Sequence, residues 1–362
     1  MIHKIKLKIS SKNLKKLKNY IESDFFLKSK IHKTVDNDLK RKIRFFQDYV
    51  EIDNFSGQTL DSNFLANFNY NTDFNTILKN WYNPYLFLRK LIGYFLFRRW
   101  EIRRYINFFV KLWPKSNDFY VPISRIKKSF KLLHYERLLA YNYFNEFVNY
   151  IYNEFNPKKT NDLNIIEIGP GVGNLCIAYK EELKIKDINF CLLDFSEAIV
   201  FSALNIMYHL PNKNLVMPNE ITENSFYESK DSIFFITPEQ LYLIPQNYFD
   251  LAINTNSFHE MSPPIIKSYF QLLRKVLKDK NLFLTVNRFE KAMDLKSGQS
   301  VSLKFASEEI YLKKNKNMVI NRFEEYPWNE SDKIYAKHTS EFNKIKTKNN
   351  FMLKIVKLDN EI

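Results

Sequence analysis

Residues 164–176 read N-I-I-E-I-G-P-G-V-G-N-L-C, and this stretch decides the fold. Gly169, Gly171 and Gly173 are three of only six glycines in the chain, and they lie within five positions. The apolar run before them, residues 165–168, is typical of a buried parallel strand, and the residues after them can begin a helix. Glycine permits a positive φ and a close approach of the backbone to a ligand, while a helix N-terminus offers unpaired N–H groups. The stretch therefore predicts a strand–turn–helix unit that binds a nucleotide-like ligand.

The spacing of these glycines separates two classes of cofactor. The dinucleotide fingerprint G-x-G-x-x-G would need a glycine at position 174, where this chain has Asn174. The observed G-x-G-x-G, with Glu167 two residues ahead of it, resembles motif I (E/D-x-G-x-G-x-G) of the S-adenosylmethionine-dependent methyltransferases with a Rossmann-like fold. The resemblance implies S-adenosyl-L-methionine as the cofactor, held by Glu167 and the three glycines. The alternative is a tight strand–helix turn that binds no ligand.

From residue 164 onward, apolar strands alternate with helices, which is the pattern of an open α/β sheet. Strands are expected at residues 165–168, 188–193, 233–236, 251–254 and 282–286, and helices at 175–183, 198–208 and 265–277. Two further strands, 318–326 and 351–358, resemble the C-terminal antiparallel pair of the methyltransferase fold, with an insertion between them. We therefore expect an α/β fold with the Rossmann-like sheet of a class I methyltransferase, mostly parallel with a C-terminal antiparallel pair, and a mainly helical N-terminal region.

Two parts of the chain differ in composition and pattern. Residues 1–118 form a basic region that we expect to be mainly helical, with helices at 11–20, 40–49 and 85–112 and irregular structure at 53–73. Residues 119–362 form the expected methyltransferase domain. It divides into a leading helix (119–160), a nucleotide-binding core (161–290) and C-terminal strands with an insertion (291–362).

The positive charge is concentrated in the N-terminal part, because residues 1–160 account for the whole net charge of +15. Such an excess can attract an anionic polymer, an anionic glycan or an acidic membrane surface, or reflect a biased composition without function. We expect peripheral contact of residues 1–118 with an acidic membrane surface, with nucleic acid as the less favoured partner. Two cysteines are too few for a disulfide framework, and the uncharged part of the stretch 84–113 is too short to span a bilayer. These features predict a cytoplasmic protein, in part at the inner face of the membrane.

The carboxyl ends of parallel strands lie on one edge of a sheet, where ligands of α/β folds bind. Asp194 follows the second strand and can accept hydrogen bonds from a ribose diol, a role that an acidic residue has at this position in methyltransferases; it could also cap the next helix. Phe195, the residue after Asp194, is a further candidate for binding the cofactor. The resemblance places Pro238, after the third strand, beside the adenine. The amides of Asn254 and Asn256, after the fourth strand, could line the methionine end of the cofactor.

The loop after the fourth strand contains the candidate catalytic residues. It reads N-T-N-S-F-H-E-M over residues 254–261 and resembles motif IV of the methyltransferases, which faces the transferring methyl group. His259 can take a proton from a hydroxyl near neutral pH, and Glu260 can orient it or contact the substrate. The alternative is that His259 only packs beside the loop and Glu260 caps a helix. Pro263 occupies the second histidine position of an H-E-x-x-H zinc site, so no metal is predicted.

Two groups of residues are expected to contact the methyl acceptor. The helix before the first strand can present His134, Tyr135 and Arg137 toward the cleft. Asn287 and Arg288 end the fifth strand at the same edge and could bind an acidic or polyhydroxylated substrate. Polar residues at strand ends are also common without such a role.

Several segments together resemble the sugar O-methyltransferase family found beside bacterial surface-polysaccharide genes. They are the L-L-H-Y-E-R helix, the I-E-I-G-P-G-V-G turn, the loop at 254–261, and the segments 268–270, 287–289 and 326–328. The resemblance spans residues 120–340 and implies a glycan or sugar-containing substrate that is methylated on a hydroxyl. In the family pattern a glycine often stands where this chain has His259, which favours Glu260 as the base.

Three functions remain open at this point. The leading one is an S-adenosylmethionine-dependent O-methyltransferase acting on a sugar hydroxyl of a surface polysaccharide or glycan precursor. The second is an RNA methyltransferase that modifies ribose, because the loop lacks the N/D-P-P-Y/F sequence of enzymes that methylate base nitrogens. The third is a non-catalytic cofactor-binding module tethered by its basic N-terminal region.

Overall fold

The computed structural model of this chain describes residues 4–29, 43–47, 49–53, 135–156, 160–183, 185–258, 261–288, 290–294, 300–304, 318–325 and 351–358. The boundary expected at residues 118 and 119 lies outside these ranges, as do the segments expected at 53–73 (apart from residue 53) and 85–112.

A small antiparallel sheet and two helices form the described part of the N-terminal region. They are β1 (Lys4–Lys8), α1 (Ser11–Ile21), α2 (Asp24–Ser29), β2 (Ile43–Phe45) and β3 (Tyr49–Asp53). The strand order is β1-β3-β2, and α1 confirms the helix expected at 11–20. The helix expected at 40–49 is wrong. Ile43 pairs with Ile52 across β2 and β3, and β-branched residues favour such pairing over a short helix.

The strands after residue 160 form one large sheet and one separate hairpin. They are β4 (Asp162–Ile168), β5 (Asp187–Leu193), β6 (Asn214–Val216), β7 (Ser232–Ile236), β8 (Phe249–Thr255), β9 (Leu277–Arg288), β10 (Glu290–Asp294), β11 (Ser300–Lys304), β12 (Met318–Glu325) and β13 (Phe351–Leu358). The large sheet has the order β12-β13-β9-β8-β4-β5-β7-β6, and β10 pairs with β11. All seven expected strands are present. The sequence did not predict β6 or the hairpin, because a three-residue strand and a polar hairpin show no clear alternation.

One helix precedes the first parallel strand, and others follow most of the parallel strands. They are α3 (Tyr135–Glu154), α4 (Asn174–Glu182), α5 (Ser196–His209), α6 (Ser225–Glu228) and α7 (Pro263–Val276). Short 3₁₀ segments lie at Pro218–Glu220 and Pro238–Leu243. The leading helix and the three core helices that the sequence predicts are confirmed within the described residues.

The topology of the large sheet defines where a ligand binds. Neighbouring strands from β6 to β9 are parallel, and β13 is antiparallel to both β9 and β12. The order runs from β4 through β5 and β7 on one side and through β8 and β9 on the other, so the switch point lies between β4 and β8. A parallel sheet with one reversed strand near its edge is the class I methyltransferase arrangement, and the expected fold class is confirmed. Ligands of such sheets bind outside the carboxyl ends of the strands at the switch point.

Helices cover both faces of the large sheet with apolar side chains. On one face, Phe144 of α3 packs edge-on against Tyr179 of α4, with ring centroids 5.2 Å apart, and both side chains are fully buried. On the other face, Phe226 of α6 stacks on Phe234 of β7 at 4.6 Å. These two layers fix the strand ends that carry the candidate site.

Helix α1 packs against the outer side of α5. Lys16 Nζ donates a hydrogen bond to the Leu215 carbonyl at 2.7 Å, beyond the C-terminal end of α5. Tyr20 is fully buried, and its hydroxyl donates to the Ser196 carbonyl at 3.5 Å, at the start of α5. The basic N-terminal helix is therefore joined to strand β6 of the sheet and to the first residue of α5. Within the described residues, none of the helices has the length and apolar character needed to cross a membrane.

Candidate functional site

The turn between β4 and α4 is shaped by three glycines with positive φ. The φ angles are +66° at Gly169, +56° at Gly171 and +72° at Gly173, a region that residues with a side chain rarely adopt. A Cβ at Gly169 would lie 2.4 Å from the Cβ of Ser257, and one at Gly173 would lie 2.8 Å from Cδ1 of Ile206. A Cβ at Gly171 would meet no atom of the described residues within 4 Å. Of the three glycines, Gly171 is therefore the one that borders open space.

Glu167 stands at the end of β4, two residues before the first glycine of the turn. Its side chain is 1% exposed, and its Oε2 accepts no hydrogen bond from the residues that the structure describes. Burial and, to a smaller extent, the negative charge of Asp194 raise the pKa of Glu167 to about 8. The group is therefore mostly protonated at pH 7, and a cation bound beside it would favour the carboxylate.

Asp194 and Phe195 follow β5 at the same edge. The Gly169 N–H donates to the Leu193 carbonyl at 2.9 Å, which joins the glycine turn to the end of β5. The Asp194 N–H donates to the Ile236 carbonyl at 3.2 Å, and Asp194 Oδ1 accepts from the Phe195 N–H at 2.8 Å. The Asp194 side chain is partly exposed, and Phe195 is exposed. The structure thus brings the predicted ribose residue beside the predicted glycine turn.

Pro238 begins the 3₁₀ segment after β7, in the loop that the sequence assigns to the adenine. The Thr237 N–H donates to Gln240 Oε1 at 3.3 Å, and Gln240 Nε2 donates to the Pro218 carbonyl at 2.8 Å. Pro238 is half-buried, while Glu239 next to it is exposed. The loop is therefore held in place by side-chain hydrogen bonds and carries a carboxylate at its surface.

Asn254 has a different place from the one that the sequence predicts. Its side chain is fully buried, and its Nδ2 donates to the Ile168 carbonyl at 2.9 Å and to Ser257 Oγ at 2.5 Å. Its Oδ1 accepts from the Phe258 N–H at 3.3 Å and from Asn287 Nδ2 at 2.8 Å. Both polar atoms of the amide bind protein groups. Asn254 therefore holds the loop after β8 against the end of β4 and does not line the cleft.

Asn287, which the sequence assigns to substrate binding, belongs to the same network. Its Nδ2 also donates to Thr285 Oγ1 at 2.7 Å, so the donor side of the amide is engaged by β8 and β9. The side chain is half-buried. The structure shows this donor bound to protein groups, and the substrate contact of Asn287 stays a prediction. Arg288, the last residue of β9, stands at the same edge, and its role stays a prediction.

Asn256 lies at the end of β8 in the left-handed region, with φ +59°. Its N–H donates to the Val286 carbonyl at 2.9 Å, and its Nδ2 donates to the Tyr143 hydroxyl of α3 at 2.8 Å. Its Oδ1 is buried and accepts no hydrogen bond within the described residues. Asn256 therefore keeps an acceptor without a partner among the described residues, and its place at the methionine end stays a prediction.

Several predicted residues cannot be placed in full. His134, His259 and Glu260 lie outside the described residues. Tyr135 and Arg137 fall in the first turn of α3, but their side chains lie outside the description as well. Their proposed roles at the methyl acceptor stay predictions.

Tyr269 on α7 packs against the loop after β8. Its ring stacks on that of Phe258, with centroids 6.1 Å apart and planes 20° from parallel. Burial raises the pKa of Tyr269 to about 12, and the negative charges of Asp194 and Glu239 raise it further by smaller amounts. Tyr269 lies in the segment 268–270, which belongs to the family resemblance, and the structure places its ring in the core beneath the loop.

The described residues contain no group of three or more His, Cys, Asp or Glu side chains arranged to hold a metal ion. The titratable groups near the glycine turn are instead the carboxylates of Glu167 and Asp194.

Neither a protein-family model nor a curated protein sequence matches this chain. Solved structures to which this chain is similar include the PH0226 protein from Pyrococcus horikoshii OT3, with a TM-score of 0.36 and 12% identity over 69% of this chain and 97% of that chain. Haemonchus contortus phosphoethanolamine N-methyltransferase 2, in complex with S-adenosyl-L-methionine, has a TM-score of 0.37 and 12% identity over 60% of this chain and 53% of that chain.

Geranyl diphosphate C-methyltransferase from Streptomyces coelicolor A3(2) was solved with Mg²⁺, geranyl diphosphate and S-adenosyl-L-homocysteine. It has a TM-score of 0.40 and 11% identity, over 61% of this chain and 82% of that chain. These three likenesses are too distant to carry a ligand or a reaction over to this chain.

Proposed function

We propose that the protein binds S-adenosyl-L-methionine beside Gly171 and catalyses methyl transfer from it. The observation that carries this proposal is the glycine turn at the switch point of a class I methyltransferase sheet. Packing accounts for Gly169 and Gly173, whereas a side chain at Gly171 would extend into open space. A close approach of the ligand to the backbone accounts for the third glycine.

The charge of the cofactor suits the residues at this edge. S-adenosyl-L-methionine carries a sulfonium and an ammonium group, and a cation near Glu167 would offset the cost of burying its carboxylate. Asp194 would accept hydrogen bonds from the ribose diol. Phe195 and Pro238 would flank the adenine, and Asn256 would face the methionine end.

The chain has to align an acceptor oxygen and remove its proton, because the bound cofactor supplies a methyl group already activated by the sulfonium charge. Asn254 anchors the start of the loop after β8 to the end of β4. His259 and Glu260 follow in the same loop, and Glu260 is our favoured base. This assignment follows from their sequence position and the family resemblance.

We further propose that the acceptor is a sugar hydroxyl of a surface polysaccharide or glycan precursor. The support is the resemblance of residues 254–261 and of the segments around them to the sugar O-methyltransferases. Arg288 at the same edge could bind an acidic or polyhydroxylated substrate. Ribose methylation of RNA is the alternative acceptor chemistry.

Binding of the cofactor is tested by titration calorimetry with S-adenosylhomocysteine, the demethylated product. We expect saturable binding to the full chain, and weaker binding when Asp194 is replaced by alanine. A complete lack of binding by the folded wild-type protein contradicts the proposal.

The acceptor is tested with radiolabelled S-adenosyl-L-methionine and a panel of nucleotide sugars, oligosaccharides and RNA. Label on a sugar hydroxyl supports the glycan proposal, whereas label on RNA ribose supports the alternative. Cofactor binding without transfer to any member of the panel favours the non-catalytic module.

The exposed side of α1 supports peripheral contact with an acidic membrane surface. Lys12, Lys15 and Lys18 are exposed, while Leu14 and Leu17 on the opposite side are buried. We expect the protein to sediment with vesicles that contain phosphatidylglycerol and not with phosphatidylcholine vesicles, and to be released by salt. Equal sedimentation with both kinds of vesicle, or none, contradicts this contact.

A further inference from the structure

Among the described residues, a side-chain hydrogen bond joins helix α3 to the loop after β8. Asn256 Nδ2 donates to the Tyr143 hydroxyl at 2.8 Å, although 113 positions separate the two residues. Tyr143 is 4% exposed, and it lies among the buried residues of α3 with Phe144 and Phe147. The packing of α3 on the sheet therefore fixes the position of the Tyr143 hydroxyl, to which Asn256 of the loop donates its hydrogen bond.

The contacts of Asn256 determine the direction of its amide. Its positive φ lies in a region that asparagine adopts more readily than most residues with a side chain. The bond from its N–H to Val286 holds the backbone, and the bond to Tyr143 holds the side chain. Nδ2 of the amide donates to the Tyr143 hydroxyl, so Oδ1 occupies the other end of the amide. Oδ1 is left as a buried acceptor that binds no donor of the described residues.

We infer that Tyr143 is a positioning residue for the methionine end of the cofactor: by holding Nδ2 of Asn256, it presents Oδ1 to the ammonium group of the bound molecule. This inference rests on the proposed function. An amide oxygen only accepts hydrogen bonds, so the group opposite it must be a donor. At the methionine end the ammonium group is such a donor, whereas the carboxylate is not.

The strand topology brings a second unpartnered oxygen to the same region. β4 and β8 are neighbours, with Glu167 opposite Ile253, and Asn256 follows three residues later. The unpartnered atoms Glu167 Oε2 and Asn256 Oδ1 therefore belong to the carboxyl ends of adjacent strands. An ammonium group has three N–H donors and can serve both acceptors. A hydroxyl of the methyl acceptor is the other donor that could reach Asn256.

The experiment compares two ligands that differ at the methionine end. S-adenosylhomocysteine carries the amino-acid group, and 5′-methylthioadenosine lacks it. We expect Tyr143→Phe to weaken binding of S-adenosylhomocysteine about fivefold and to leave binding of 5′-methylthioadenosine within about twofold of wild type. Tyr150→Phe, in the same helix at a half-buried position, is the matched control and should change neither affinity.

A second variant keeps the test independent of the fold of α3. Asn256→Gly removes the side chain, and glycine accepts the positive φ without strain. Because the bond to the ammonium group is charge-assisted, we expect about tenfold weaker binding of S-adenosylhomocysteine, again with 5′-methylthioadenosine unchanged. Thermal unfolding of each variant reports whether it is folded.

The outcomes separate this inference from the proposed function. If wild type binds neither ligand, the proposed function fails. If wild type binds S-adenosylhomocysteine and both variants bind it equally well, the role of Tyr143 and Asn256 is overturned while the proposed function stands. Equal losses of affinity for both ligands also overturn the role of Tyr143 and Asn256, since they indicate a general structural effect. Unchanged ligand binding with reduced methyl transfer assigns Asn256 to the methyl acceptor and overturns the assignment to the ammonium group.

Discussion

The two halves of the carboxyl edge of the sheet are held in different ways. One half, here called the nucleoside side, is formed by the ends of β4, β5 and β7. Main-chain hydrogen bonds link these strand ends, from the Gly169 N–H to the Leu193 carbonyl and from the Asp194 N–H to the Ile236 carbonyl. Any residue with a backbone N–H can make such bonds. The strand ends of this half therefore depend on chain direction and on glycine, and Gln240 is the side chain that holds the loop after β7.

On the reactive side, formed by the ends of β8 and β9, side-chain amides make most of the bonds. Asn254 binds groups of β4, of its own loop and of β9, while Asn256 binds Tyr143 of α3. These bonds need an amide with a donor and an acceptor at fixed positions. The difference teaches that substitutions of polar side chains should damage the reactive half more than the nucleoside half.

The largest effect is expected from Asn254→Leu. The substitution removes the side-chain acceptor of the Phe258 N–H in a buried place, together with one of the partners of the Ile168 carbonyl and of the Asn287 amide. We expect the free energy of unfolding to fall by about 3 kcal/mol, measured by denaturant titration. Asn219→Leu, at an exposed position, is the control and should change it by less than about 0.5 kcal/mol. Similar values for both variants would remove the distinction between the two halves.

Gly171→Val tests the backbone dependence of the nucleoside half. A β-branched residue at a φ of +56° is strained, and its side chain would enter the space assigned to the cofactor. We expect the affinity for S-adenosylhomocysteine to fall about thirtyfold, or about 2 kcal/mol by calorimetry. Wild-type affinity in this variant would show that the ligand does not lie against Gly171.

Asp194→Asn is expected to have the smallest effect of the three. The variant keeps a hydrogen-bonding side chain but loses the charge that strengthens bonds from a ribose diol. Binding of S-adenosylhomocysteine and of 5′-methylthioadenosine should both weaken about tenfold, because both contain the ribose. The pKa of Glu167 should also fall, since the charge of Asp194 helps to raise it. A loss confined to S-adenosylhomocysteine would place Asp194 at the methionine end instead.

The same contrast explains what the sequence could predict. Glycines with positive φ and an acidic residue after the next strand leave a local pattern, and the structure brings Glu167, Gly171 and Asp194 to one edge as expected. The alternating strands and helices likewise predict the sheet, because each period is local. The positions of these three residues in the fold were therefore predictable from the sequence.

The reactive half was predictable only in part. Asn254, Asn256 and Asn287 look alike in sequence as polar residues at strand ends, yet two are internal supports and one keeps a free acceptor. In the sequence, Tyr143 cannot be distinguished from the aromatic residues of the same helix that only pack in the core. Which amide atom is used depends on contacts between residues far apart in the chain, and a local pattern carries no information about them.

The central claim is that a cationic cofactor binds beside Glu167, and proton release tests it most directly. Because the pKa of Glu167 is raised to about 8, the carboxyl group of the free protein carries its proton at pH 7. An ammonium group bound beside it lowers this pKa, so binding should expel the proton. Calorimetry with S-adenosylhomocysteine at pH 7, in two buffers with different heats of ionisation, counts the protons released. We predict release approaching one proton for wild type and none for Glu167→Gln. Binding without release in wild type, or equal release in both proteins, would contradict the account.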